Sequence, residues 1–131
     1  IASHNKEAII IAADTIVVAG DDIIGKPVSS DHAFSILSRL SGATHQVITG
    51  VVILGLNEVS FSDITSVTFH SLAEEDIRFY IEKYKPYEKA GAYGIQEWIG
   101  VTGIRSIDGD FYNVMGLPVS RVVQALKSGD V

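Results

Sequence analysis

Between Ala8 and Val18 the chain reads AIIIAADTIVV, an almost unbroken apolar run rich in β-branched side chains. A run of that length falls well short of the roughly 18 residues needed to cross a bilayer as a helix. Its β-branching favours a strand, and its lack of alternation predicts one buried on both faces near the centre of a sheet. Helices must then cover that sheet. The run is broken by Asp14-Thr15. A carboxylate in an apolar strand is costly unless something binds it, so Asp14 is the leading candidate for chemistry.

The rest of the chain supplies those helices. Gly20-Asp21-Asp22 predicts a turn, with Ile23-Ile24 returning as a short strand. Ser29 or Ser30 is placed to cap a helix to about Ser41, with Ala33, Phe34, Leu37 and Leu40 on one face and Gly42 ending it. His45–Leu54 and Val59–His70 predict paired strands about the turn Gly55-Leu56-Asn57-Glu58. Ser71-Leu72-Ala73-Glu74 has the pattern of a capping box. The helix behind it carries Ile77, Tyr80, Ile81 and Tyr84 on one side and stops at Pro86. Pro86–Gln96 reads as a loop containing Gly91 and Gly94, Trp98–Ile107 as extended, and Asp108-Gly109-Asp110 as a turn. Pro118 opens a last helix with Val119, Val122, Val123 and Leu126 on its buried face. The order β, α, β, β, α, β, α predicts a mixed α/β domain, a sheet flanked by helices.

The 131 residues suit a single domain over 1–131, and 47% hydrophobic against 20% charged residues suits a globular one. Ten basic and 16 acidic side chains leave a net charge of −6, with the signs interspersed. That balance weighs against a nucleic-acid polymer as partner but not against one nucleotide held by a few lysines. The sequence has no cysteine, which excludes disulfides, thiol catalysis and thiolate metal sites within it. His4, His32, His45 and His70 show no zinc-ligand spacing. With no membrane run and no signal peptide, the expected location is cytoplasmic. Ile1-Ala2-Ser3-His4-Asn5-Lys6 reads as the middle of a loop, and a longer protein is expected.

Asp14 at the edge of a sheet would serve as metal ligand or general base; the alternative is a strand-end carboxylate capping nearby backbone. Lys26, in Gly25-Lys26-Pro27, can hold a phosphate as a point charge or be a solvated turn lysine. Ser41-Gly42, Thr44-His45 and Thr49-Gly50-Val51 set small polar groups beside a strand, and His45 reads as a core or turn histidine. The segment Lys89-Ala90-Gly91-Ala92-Tyr93-Gly94-Ile95-Gln96 stands out. Its glycines allow close backbone approach, Lys89 offers charge, and the Gln96 amide both donates and accepts, as a uracil or thymine edge requires. The alternative is a polar turn after a helix. Asn113-Val114-Met115-Gly116-Leu117-Pro118 can wrap a helix start, with Met115 in the core. Glu74-Glu75-Asp76 reads as an acidic first helical turn and Trp98 as packing. Together these residues describe a glycine-lined polar site with one carboxylate and two lysines, suited to a phosphate ester with a divalent metal.

Several blocks resemble the Maf family in order and spacing. They are Ala13-Asp14-Thr15-Ile16-Val17, Gly25-Lys26-Pro27, Leu40-Ser41-Gly42 with His45-Gln46-Val47 and Thr49-Gly50-Val51, Lys89–Gln96, and Tyr112–Pro118. The resemblance, over about Ala8–Leu126, implies an α/β fold like that of inosine triphosphate pyrophosphatases, a mixed sheet flanked by helices. It implies hydrolysis of a nucleoside triphosphate between the α and β phosphates with Mg²⁺ or Mn²⁺. It makes Asp14 the proton acceptor beside the metal and Lys26 and Lys89 the phosphate contacts. Thr15 and Gln96 resemble the dTTP/UTP subfamily, where the 7-methyl-GTP subfamily tends to have Gln and Glu. A homodimer and a link to septum formation are also implied. In the usual Asp-Lys-Ala-Gly block Glu88 replaces the aspartate. The family's N-terminal strand and Ser-x-Arg-Arg phosphate loop have no counterpart, so the chain is expected to be a fragment. The competing expectations are a nucleotide-binding regulatory protein without turnover and a purely structural domain.

Overall fold

The computed structural model describes residues 8–131; the loop expected over Ile1–Lys6, with His4, lies outside the described residues. The elements are β1 (Ile10–Ala19), β2 (Asp22–Ile24), α1 (Ser30–Leu40), β3 (Thr44–Leu54), β4 (Glu58–Phe69), α2 (Glu74–Tyr84), a 3-10 turn (Ala90–Ala92), α3 (Trp98–Gly103), β5 (Ile104–Asp108), α4 (Phe111–Met115) and α5 (Val119–Ser128). The strands form one sheet in the order β2-β1-β3-β4-β5. Every pairing among the described strands is antiparallel. The α/β class and the helices flanking a sheet are as expected; the sheet, expected to be mixed, is antiparallel throughout the described strands.

All the helices lie over one face. Ala19 and Val17 from β1, Val47 from β3 and Val67 and Phe69 from β4 are buried on that face against Ala33, Ile36, Leu37 and Leu40 of α1 and Ile77, Tyr80 and Ile81 of α2. A second cluster joins Val51 and Ile53 of β3 to Val122 of α5. Residues of β3 alternate between buried and open along its whole length, the period-2 signature of a sheet with one covered face. β1 therefore departs from expectation. It lies second from the edge, and Ile10 (62% exposed) and Ile11 are open. β2 pairs only with Val17–Ala19, so among the described residues no strand lines the outer edge of β1 before Val17.

α1 begins as expected, with Ser29 Oγ accepting from His32 N at 3.1 Å, a cap worth about 1 kcal/mol. α2 ends as expected, at a left-handed Lys85 followed by Pro86. Its start does not. Ala73, not Ser71, is the N-cap, and it makes no side-chain cap bond. The amide of Leu72 donates instead to Ser41 Oγ at 2.6 Å, and Gly42 N donates to His70 O at 3.0 Å. Residues 70–72 are thus stitched to the α1–β3 turn rather than to their own helix.

The extended reading of Trp98–Ile107 is half right, because Trp98–Gly103 is a helix and only Ile104 onward is a strand. Gly100 passes so close to Ile95 that a Cβ there would meet its carbonyl oxygen, while Ile99 is buried in the core and Trp98 packs edge-on against Phe79. Tertiary packing overrides the weak local preference. The short α4 had no counterpart in the expected order; it is capped by Asp110, which accepts from Tyr112 N at 2.8 Å. On α5 only Val122 is buried, while Val119, Val123 and Leu126 are exposed.

Candidate active site

A cavity of about 390 Å³ opens beside β1. Its walls come from Ala13–Thr15 and Val17 of β1, Lys26 of the loop after β2, Val47 of β3, the segment Glu88–Gln96, and Val114–Gly116 at the end of α4. Asp14, Thr15, Lys26, Lys89 and Gln96, singled out from the sequence, all line it. The volume lies within the range of small-molecule pockets.

Asp14 sits in mid-strand opposite Gly50. Its carboxylate is exposed, so the burial cost expected of an Asp in an apolar run does not arise. Glycine at the paired position keeps side chains away from it on that side. Thr15 points to the covered face, where its Oγ1 lies 2.9 Å from Thr49 Oγ1. Lys26 is exposed, and its loop is tied to the glycine-rich segment by Gly91 N donating to Gly25 O at 3.3 Å. The two lysines therefore stand on directly joined segments.

Close approach explains the glycines of that segment. Gly91 has φ +75°, and a Cβ there would sit 3.0 Å from Val17 Cγ2. A Cβ on Gly94 would sit 2.6 Å from Glu97 Oε1 and 3.2 Å from Lys89 Cε. Tyr80 OH donates to Glu97 Oε1 at 2.5 Å and accepts from Gly94 N at 3.0 Å. Burial, reinforced by the Glu97 carboxylate, pushes the Tyr80 hydroxyl above the usual phenol range and keeps it a donor. The loop bearing Lys89 and Gln96 is thus anchored to α2.

His45 is a core residue, as expected. Its Nε2 lies 2.6 Å from Tyr93 OH, and its ring stacks on Phe69. Burial lowers its pKa to about 4, so it is neutral at physiological pH. Burial likewise pushes the Tyr93 hydroxyl up. Trp98 packs and does not line the cavity, also as expected. Met115, expected in the core, is 46% exposed and lines the cavity.

The sequence reading missed three features. Glu88, named from the sequence only as replacing the family's aspartate and not as a site residue, adds a second carboxylate to the wall. Tyr80 and Glu97 brace the glycine-rich loop, and nothing local announced that pairing. Asn113 is fully buried, with Nδ2 facing Val47 O and Asp63 O at 3.2 Å each and Thr65 Oγ1 at 3.0 Å. It fixes α4, and so the Val114–Gly116 wall, to the sheet.

Among the described residues no group of three or more histidines and carboxylates comes together to hold a metal. Asp14 and Glu88 are the acidic groups on the cavity wall. That donor set fits Mg²⁺, which is commonly held by one or two carboxylates together with substrate phosphates rather than by an all-protein cage.

A family model described as "Maf-like protein" matches residues 1–129. A dTTP/UTP pyrophosphatase of Cytophaga hutchinsonii is 56% identical over 122 residues, covering 92% of this chain and 56% of the relative. One of Parabacteroides distasonis is 51% identical over 122 residues, covering 92% of this chain and 63% of the relative. One of Phocaeicola vulgatus is 52% identical over 124 residues, covering 94% and 64%. The chain spans less than two thirds of the length of each of these curated relatives.

Proposed function

The chain belongs to the Maf family, and on that footing we propose that it carries the active site of a nucleoside triphosphate pyrophosphatase acting on dTTP and UTP. The observation that supports this most is the convergence of Asp14, Thr15, Lys26, Lys89 and Gln96, from three separate segments, on one cavity. The names of the relatives point the same way.

In this reading the triphosphate lies along the two lysines, whose charge offsets that of the phosphates and of the departing pyrophosphate. Asp14 takes a proton from a water as its oxygen attacks the α phosphorus. The bond from the α phosphorus to its bridging oxygen breaks, leaving a nucleoside monophosphate and pyrophosphate. Gln96 reads the pyrimidine edge, with Thr15 beside it. Asp14, with Glu88, would hold a divalent cation, which supplies charge neutralisation and a more acidic water when bound. A homodimer is part of the same proposal.

The test is pyrophosphate release from UTP, dTTP, CTP, GTP and 7-methyl-GTP with Mg²⁺ or Mn²⁺. Release selective for UTP and dTTP is the expected result. Binding of nucleotide without release would replace the enzyme by a regulatory binding protein.

A further inference from the structure

Thr15 and Thr49 are direct cross-strand partners with hydroxyl oxygens 2.9 Å apart. That distance alone leaves open which of them donates. A second contact decides it. Thr49 Oγ1 also lies 3.2 Å from the main-chain oxygen of Asn113, which has no proton to give. A hydroxyl carries one hydrogen. If Thr49 turned it toward Thr15, two lone-pair-bearing oxygens would face each other at 3.2 Å in a fully buried place. Thr49 therefore donates to Asn113 and can only accept from Thr15.

The far end of this relay is rigid. The Asn113 carbonyl also accepts from Gly116 N at 3.0 Å, and the side chain of Asn113 is held by the sheet. At the near end Thr15 lines the cavity. Because its hydrogen is turned inward to Thr49, its oxygen offers the cavity lone pairs alone.

We infer that Thr49 and the Asn113 carbonyl set Thr15 as an obligate hydrogen-bond acceptor, making Thr49 a specificity-determining residue that never touches the ligand. The inference rests on the proposed nucleotide function and sharpens it. An acceptor at Thr15 selects a base presenting a ring N–H, as uracil and thymine do at N3. It rejects a lone pair in that place, as at N3 of cytosine, and an N3-alkylated uracil.

The test measures the affinity of UTP, CTP and N3-methyluridine triphosphate calorimetrically for the wild-type chain and for Thr49→Val, Thr49→Ser and Thr15→Val. Thr49→Val is nearly isosteric, but it frees the Thr15 hydroxyl to donate into the cavity. The expected result is a UTP-to-CTP affinity ratio reduced about 3- to 10-fold, with Thr49→Ser restoring it. General loosening would weaken both nucleotides alike and leave the ratio in place. An unchanged ratio in folded Thr49→Val overturns the relay. Thr15→Val probes the same acceptor at a half-buried position and must also lower the ratio; if it does not, the inference fails. Equal wild-type affinity for UTP and its N3-methyl form would refute the base contact while leaving nucleotide binding standing. Wild type that binds no nucleotide would sink both.

Discussion

Replacing Asn113 by alanine should cost far more than its size suggests. Its two amide hydrogens serve three acceptors, the buried Val47 O and Thr65 Oγ1 and the partly buried Asp63 O. Thr65 cannot reverse its bond, because its own hydrogen goes to Asp110 O at 3.1 Å. Alanine removes about two hydrogen bonds, at about 1 kcal/mol each, and strands at least one buried acceptor, at about 1–3 kcal/mol. The Oδ1 of Asn113 is itself buried without a partner, so its removal gives back part of that sum, and the expected loss is about 3 kcal/mol, a large share of the roughly 5–15 kcal/mol by which domains are stable. Urea denaturation followed by the fluorescence of Trp98, the sole tryptophan, reads it directly. Ile64→Ala, at a position 53% exposed on the open face, should stay within about 0.5 kcal/mol. A loss below about 1 kcal/mol in Asn113→Ala would mean that Asn113 does not hold α4 to the sheet.

Other consequences follow from the braces around the cavity. His45 has a folded pKa of about 4 against an ordinary 6.5, so between those values the unfolded chain binds a proton that the folded chain refuses. Its contribution is complete above about pH 6.5 and is lost as pH falls toward about 4, roughly 3 kcal/mol in all; denaturation of wild type and His45→Gln at pH 7 and pH 4.5 should show a shallower pH dependence in the variant. Tyr80→Phe removes the acceptor for Gly94 N and the donor to Glu97. Steady-state kinetics should then show KM for UTP rising about 3- to 10-fold with kcat little changed, because the loop is loosened while Asp14 is untouched.

Elements whose periodicity matched their packing were legible in the sequence. β3 and β4 read as paired strands about the turn at Gly55–Glu58, and α1 announced a cap at Ser29 or Ser30 and an end at Gly42. The misreadings arose where a distant partner decides. Ser71 has the spacing of a capping residue, but the Leu72 amide is taken by Ser41, 31 positions away. Trp98–Gly103 carries β-branched Ile99, Val101 and Thr102, which favour extension, and two glycines, which weaken a helix, yet burial of Ile99 and the approach of Gly100 to Ile95 go with a helix there. β1 looked buried on both faces because hydrophobicity reports composition, not which face a helix covers. The candidate site was more legible than its supports. Charges and glycines show in the sequence, whereas the Thr15–Thr49–Asn113 relay and the Tyr80–Glu97 brace exist only once strands and helices meet.

If the cavity beside β1 hydrolyses a nucleoside triphosphate as proposed, Asp14 is its proton acceptor. UTP binding and pyrophosphate release, measured side by side for wild type and Asp14→Asn, test it most directly. The variant should bind UTP about as well as wild type and release pyrophosphate about 10²- to 10⁴-fold more slowly. Release by Asp14→Asn at a near wild-type rate would contradict it.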